Sequence, residues 1–175
     1  MKKIVSIRPV RFSDAEEMCE AMNVDALQNF QFFERKVTVE RQQAYLSHAI
    51  SSNRDKLFSV LCDGKIIGTC GLHEIDRQNK NARVGIMIFS QQNRGQHFAS
   101  RALRKLLALA FGKLGLHKVY LKVFKENTAS CTKYAHLGFQ FETVLREQYR
   151  LRRKYHDMVV MSMFARDWRK EKGRS

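Results

Sequence analysis

Apolar residues recur in pairs every three to four positions after Gly95: Phe98/Ala99, Ala102/Leu103, Leu106/Leu107 and Ala110/Phe111. That spacing lays a continuous stripe along one side of an α-helix, which Gly112 and Gly115 end. A shorter period flanks the helix. Lys118–Phe124 alternates Val119, Leu121 and Val123 with Lys118, Tyr120 and Lys122, the repeat of a half-buried strand. Leu57–Cys62 and Lys65–Ile75 read as strands joined at Asp63-Gly64, a dipeptide suited to a two-residue hairpin. Arg83–Phe89 follows as a third strand after the polar turn Asp76–Asn81.

Upstream, Ser6–Val10 alternates into the chain's single proline and predicts an edge strand. Ser13-Asp14-Ala15-Glu16 has the form of a capping box and places a helix from about Asp14 to Met22. A second helix runs from Thr38 to about Ile50. Between them Asn23–Lys36, with Phe30, Phe32 and Phe33, is aromatic but aperiodic. It reads as a loop that either lies over a substrate or packs its rings into the core. Downstream, Thr128–Leu137 is a short helix stopped by Gly138, and Phe139–Leu145 and Tyr155–Phe164 are the last strands. The order β, α, α, a β-meander, then α, β, α, β, β predicts a mixed α/β (α+β) fold around a central sheet. Repeats and internal linkers are absent, so residues 1–168 read as one domain and 169–175 as a flexible basic tail.

Composition narrows the setting. At 175 residues with 44% hydrophobic and 10% aromatic content, the chain can bury a sizeable core. It has no run of ~18 apolar residues for a membrane span, and MKKIVSIRPV is too short in apolar residues for a signal peptide; the cytoplasm is the expected location. Cys19, Cys62, Cys70 and Cys131 form no CxxC pair and have no His at zinc spacing, so they read as small buried hydrophobes and no metal is expected. Net charge is +15, with ten Lys/Arg against four acids from Arg146 to Ser175. Such a field draws anions (nucleic acid, ribosomes, phosphorylated small molecules or a cofactor), or serves as a solvated surface.

The candidate chemistry starts at Gln91–Ser100, QQNRGQHFAS: a strand end, a basic turn at Arg94-Gly95 and the opening of the striped helix. A helix start offers unpaired N–H groups and partial positive charge, which suits a pyrophosphate. A second segment, KENTASCTKYAHLGF (Lys125–Phe139), accompanies it. Two marks within these segments make the chain, from Ile7 to Met163, resemble the GCN5-related N-acetyltransferase superfamily. One is Arg94-Gly95-Gln96-His97-Phe98-Ala99, set against that family's Arg/Gln-x-x-Gly-x-Gly/Ala. The other is Asn127, then Tyr134 seven residues on, then Gly138-Phe139. The resemblance implies an acyl-CoA N-acyltransferase fold, with a mostly antiparallel sheet of about seven strands and about four helices.

It also implies acetyl-CoA as cosubstrate and direct transfer to a primary amine. The N–H groups of Gly95, Gln96, His97, Phe98, Ala99 and Ser100 would cradle the pyrophosphate, with Arg94 beside them. The backbone of Met87, Ile88 and Phe89 would pair with the pantetheine arm, and an N–H there would polarise the acetyl carbonyl. Asn127 would hydrogen-bond the cofactor's amide arm, and Tyr134 would protonate the departing thiolate. Cys131, a neighbour of that site, is the one cysteine weighed as a nucleophile.

Two departures bear on this. His97 stands where the family has its middle glycine; a right-handed helical turn there would tolerate any residue. A proton acceptor is also missing. Family members that acetylate protein N-termini often carry a Glu on the fourth or fifth strand, and here those positions hold Arg83 and Lys122. His73 and Glu74 on the third strand are the nearest substitutes, with His136 and Asp157 further back; a water chain is the other route. The ending Leu145–Met163 is similar to two branches, one acetylating ribosomal-protein N-termini and one acetylating nucleotide-linked amino sugars. Arg83, Lys122 and the basic C-terminal segment favour an acidic or ribosome-bound substrate over a polyamine. A non-catalytic acetyl-CoA-binding or RNA/ribosome-associated module on the same fold is the alternative. A homodimer stays open.

Overall fold

The computed structural model describes residues 3–24, 36–89, 93, 95–151 and 153–172. Seven strands hydrogen-bond in the order β1-β2-β3-β4-β5-β7-β6. β1–β2, β2–β3, β5–β7 and β6–β7 are antiparallel, and β4–β5 is parallel. Internal contacts divide the chain into two compact units: Met1–Glu74 with Gly85–Leu106, and Ile75–Val84 with Leu107–Ser175.

The first unit holds β1 (Val5–Pro9), a 3-10 turn (Phe12–Asp14), α1 (Ala15–Val24), α2 (Val39–Ser51) and β2 (Lys56–Cys62). It also holds most of β3 (Lys65–Asp76), the later half of β4 (Asn81–Ile88) and most of α3 (Phe98–Ala108). Its core joins Met18 and Met22 of α1, Leu46 and Ala49 of α2, and Leu57, Ile66 and Phe89. The β2–β3 hairpin turns as its dipeptide requires, with Asp63 and Gly64 at φ 49° and 86°. β1 lies at the sheet edge, where Pro9 closes it.

The start of α1 differs from the expected capping box. Asp14 is buried and acts as the anchor. Its carboxylate takes two bonds from the Arg8 guanidinium (2.7 and 2.8 Å), one from Ser59 Oγ (2.7 Å) and one from the Arg11 N–H (2.9 Å). Burial pushes this carboxyl up, but the bonds from Arg8, Arg11 and Ser59 outweigh it and hold the group at about 2.

The second unit holds the first half of β4, β5 (Lys118–Phe124), α4 (Thr128–His136), β6 (Gln140–Leu151), β7 (Lys154–Phe164) and α5 (Ala165–Lys172). α3 runs on through Leu109–Lys113 as a wider turn, closed by Leu114 N–H to Leu109 O (3.0 Å), and stops at Gly115, φ 60°.

Two elements depart from the sequence reading. β6 continues to Leu151, six residues beyond Leu145. Shifts of register at Phe141/Thr143 and Leu145/Tyr149, with Glu147 at φ 50°, break the alternation that would have marked it. The chain past residue 168 is helical to Lys172 rather than a tail from residue 169. α5 carries a single apolar anchor, Trp168, buried against the Phe111 ring at 6.2 Å, too little to show as a stripe.

Candidate active site

The turn into α3 uses two residues in the left-handed region, Gly95 (φ 75°) and His97 (φ 58°). This corrects the expectation that His97 sits in a right-handed turn. A glycine suits this position because it reaches positive φ freely, whereas a side chain costs roughly 1–2 kcal/mol there. His97 O accepts from Arg101 N–H (3.0 Å), which makes His97 the residue that opens the helix. The N–H groups of Phe98, Ala99 and Ser100 follow it and have no intrahelical carbonyl to meet. Phe98 is buried, with Lys3 Nζ 5.6 Å from its ring centre, and Lys3 Nζ donates to Gln96 Oε1 (3.2 Å). Gly95 is exposed, with nothing within 4 Å of where a Cβ would stand. An exposed positive-φ turn leading to a helix start fits a pyrophosphate. Arg94 lies outside the described residues, as do residues 25–35 of the aromatic segment.

At the end of β4 the expected open backbone is narrower than Met87–Phe89. Phe89 is buried and its N–H donates to Ile67 O (2.9 Å), so that donor is already used by β3. Met87 and Ile88 are half-buried. A Cβ added at Gly68 would run into Met87 O, so glycine is what allows the two backbones to approach.

The proton-acceptor candidates separate sharply. His73 Nδ1 lies 3.1 Å from Asp55 Oδ1, both side chains half-buried. The ring spans two glycines: a Cβ at Gly71 or Gly85 would come within 3.0 or 3.2 Å of His73 Nε2. Asp55 also accepts from Ser52 Oγ (2.6 Å) and from the Glu74 N–H. Burial raises the Asp55 carboxyl, and the bonds from Ser52, His73 and Glu74 overcome it, leaving the group below the usual carboxylate range. Glu74 is exposed at φ 54°, a kink within β3. Asp55 was absent from the sequence reading. It stands 18 residues from His73 and joins it only through the β2–β3 pairing, which sets Lys56 opposite Leu72.

In the second unit, Asn127 caps α4. Its Oδ1 accepts from Ser130 N–H (3.1 Å) and its backbone O from Cys131 N–H (3.1 Å). Tyr134 lies one turn short of the helix end, its ring 6.0 Å from Phe139 and tilted edge-on. Burial pushes the Tyr134 phenol up to about 12, with a further contribution from Cys131. Burial likewise raises the Cys131 thiol, which argues against a nucleophile. His136 is exposed. Asp157 is tied to Glu147 N–H (3.0 Å) and Lys125 Nζ (3.2 Å), bonds that hold it low and make it a clip for the β6 bulge. Arg83 is half-buried, opposite Tyr120 in the β4–β5 register, and Lys122 is exposed. Among the described residues no His/Cys/Asp/Glu group could hold a metal, and no helix is long and apolar enough to cross a membrane.

The chain is similar to known proteins. The acetyltransferase (GNAT) domain family matches residues 5–140. The spermidine N(1)-acetyltransferase of Escherichia coli is 29% identical over 94% of this chain and 88% of its own. A Bacillus subtilis protein provisionally named a ribosomal N-acetyltransferase is 31% identical over 65% of this chain and 61% of its own. The structure of Vibrio cholerae spermidine N-acetyltransferase in complex with CoA and spermine superposes with a TM-score of 0.82 at 25% identity. It covers 94% of this chain and 97% of that one.

Proposed function

Because this chain belongs to the GNAT acetyltransferase family and is an acetyl-CoA-dependent N-acetyltransferase, we propose that its acceptor is a primary amine of the polyamine class. The observation that carries this reading is likeness along nearly the whole chain, in sequence and fold, to proteins named as spermidine acetyltransferases. The net charge of +15 argues less strongly against it than the sequence suggests. At physiological salt the Debye length is about 8 Å, so charges further from the acceptor than that are screened and nearby groups decide.

When bound, acetyl-CoA supplies the thioester acyl group. The turn from Gly95 through Ser100 holds its diphosphate on helix N–H groups. Backbone at Met87 and Ile88 takes the pantetheine arm in place of a neighbouring strand. Asn127, whose Oδ1 already caps α4, offers chiefly its NH₂ to a cofactor amide. Tyr134, protonated throughout the physiological range, would donate to the sulfur.

A base is worth having. An alkylamine with a pKa near ~10.4 is neutral in only about one molecule in 2,500 at pH 7, a deficit of about 4.6 kcal/mol. His73 is the group that meets it. Glu74, exposed on the kink beside it, suits the second ammonium group of a polyamine.

A second reading, an acidic or ribosome-bound substrate, rests on the basic stretch from Arg146 onward. Coenzyme A release measured over spermidine, spermine, a ribosomal-protein N-terminal peptide and a nucleotide-linked amino sugar separates the two. The proposal expects the polyamines to give the highest kcat/KM. Preference for the peptide or the sugar contradicts it.

A further inference from the structure

We propose that Asp55 is a positioning residue for acetyl transfer, acting through His73; this rests on the acetyl-transfer reading above. The Asp55 carboxylate accepts a hydrogen bond from His73 Nδ1–H across 3.1 Å. With Nδ1–H fixed there, the neutral ring carries its lone pair on Nε2, the nitrogen lying over Gly71 and Gly85. An imidazole turned the other way would carry its proton on Nε2 and could accept nothing there.

Three features make this a built pair rather than a chance contact. Asp55 is itself held by Ser52 Oγ at 2.6 Å and by the Glu74 N–H. Ser52 is held in turn, its Oγ accepting from Arg54 N–H (3.2 Å). The ring occupies a slot that exists only because Gly71 and Gly85 lack side chains. The Glu74 kink (φ 54°) immediately follows His73 and supplies one of the bonds that orient Asp55. Along the chain, Lys56 follows Asp55 and Glu74 follows His73.

The step balances simply. The ammonium of the acceptor gives a proton to His73 Nε2, directly or through a hydroxyl or water. The freed nitrogen lone pair forms the new C–N bond as the thioester C–S bond breaks. The amine's second proton makes good the one that Tyr134 gives the departing sulfur, and the imidazolium on His73 is stabilised by the Asp55 carboxylate. The proton returns to solvent after transfer.

The test is a double-mutant cycle on the full chain, with spermidine and acetyl-CoA, joined to ¹⁵N NMR of the histidine rings. Asp55→Asn presents an amide in place of the carboxylate. It is expected to lower kcat by about 10²-fold while acetyl-CoA binding changes less than twofold. In a His73→Gln background the same change is expected to have almost no further effect, because the two act as a unit. The neutral wild-type ring is expected to carry its proton on Nδ1, a readout that survives if a variant fails to fold. A proton on Nε2, or equal losses from Asp55→Asn in both backgrounds, overturns the positioning role and leaves acetyl transfer standing. A wild-type chain that turns over no amine overturns both.

Discussion

Tyr134 and Phe139 meet edge to face at 6.0 Å because they occupy the two ends of one helix stop. Phe139 N–H donates to Tyr134 O (3.0 Å), Gly138 N–H to Ala135 O (2.9 Å), and Gly138 stands at φ 93°. This is a glycine-terminated cap in which the residue past the glycine packs on the residue three before the cap. The spacing of Tyr134, Gly138 and Phe139 therefore has a structural cause of its own. It fixes where the phenol stands, whatever the phenol does.

That double role gives a clean separation. Tyr134→Phe keeps the ring contact, so stability should change by less than about 0.5 kcal/mol while turnover falls by about 10²-fold and acetyl-CoA affinity holds. Phe139→Ala should instead lose about 3 kcal/mol in denaturant unfolding. Because the Tyr134 phenol lies at about 12, its ionisation should produce no loss of rate below about pH 11.

His97 carries a backbone strain that glycine would relieve. His97→Gly should raise the melting temperature by ~2–4 °C, equivalent to about 1 kcal/mol in a chain of this size. His97→Val, β-branched at the same φ, should lower it. Acetyl-CoA affinity should not fall in His97→Gly; a tenfold loss measured by titration calorimetry would give the imidazole a role in binding.

The reach of the sequence differed from element to element, for physical reasons. α3 was legible because all but one of its paired apolar residues are buried, and β5 because it alternates strictly. β6 lost that alternation at its two register shifts, and α5 rests on Trp168 alone. The turn at the head of α3 could be read as a candidate anion site, but nothing in the letters gave His97 its positive φ. Of the proposed acid–base groups, His73 could be suspected from its side chain. Asp55 could not, since only strand pairing brings it there.

Gly68 and Gly64 make a matched pair for testing the β3–β4 approach. Gly68→Ala sets a Cβ against Met87 O and should cost about 3 kcal/mol. Gly64→Ala meets open space and strains only its φ of 86°, so about 1 kcal/mol is expected. Equal losses in chemical denaturation would remove the close approach as the reason for Gly68.

Asp14 sets a limit on acid stability. Its carboxyl is held at about 2 in the folded chain against an ordinary 3.8. The stabilisation is thus complete above about pH 4 and is lost as pH falls through about 2, roughly 2 kcal/mol in all. Asp14→Asn should lower stability at pH 7 by about 3 kcal/mol, since Arg8 is left without its carboxylate. It should also flatten the pH dependence between about pH 4 and 2; an unchanged acid profile would place the sensitivity elsewhere.

The central claim is that this chain moves an acetyl group from acetyl-CoA to a polyamine. A competition experiment tests it most directly: limiting acetyl-CoA, with spermidine, a ribosomal-protein N-terminal peptide and a nucleotide-linked amino sugar at equal concentration, and products resolved by mass spectrometry. The account predicts that N-acetylspermidine takes nearly all the acetyl label. Label on the peptide or the sugar, with spermidine unmodified, would contradict it.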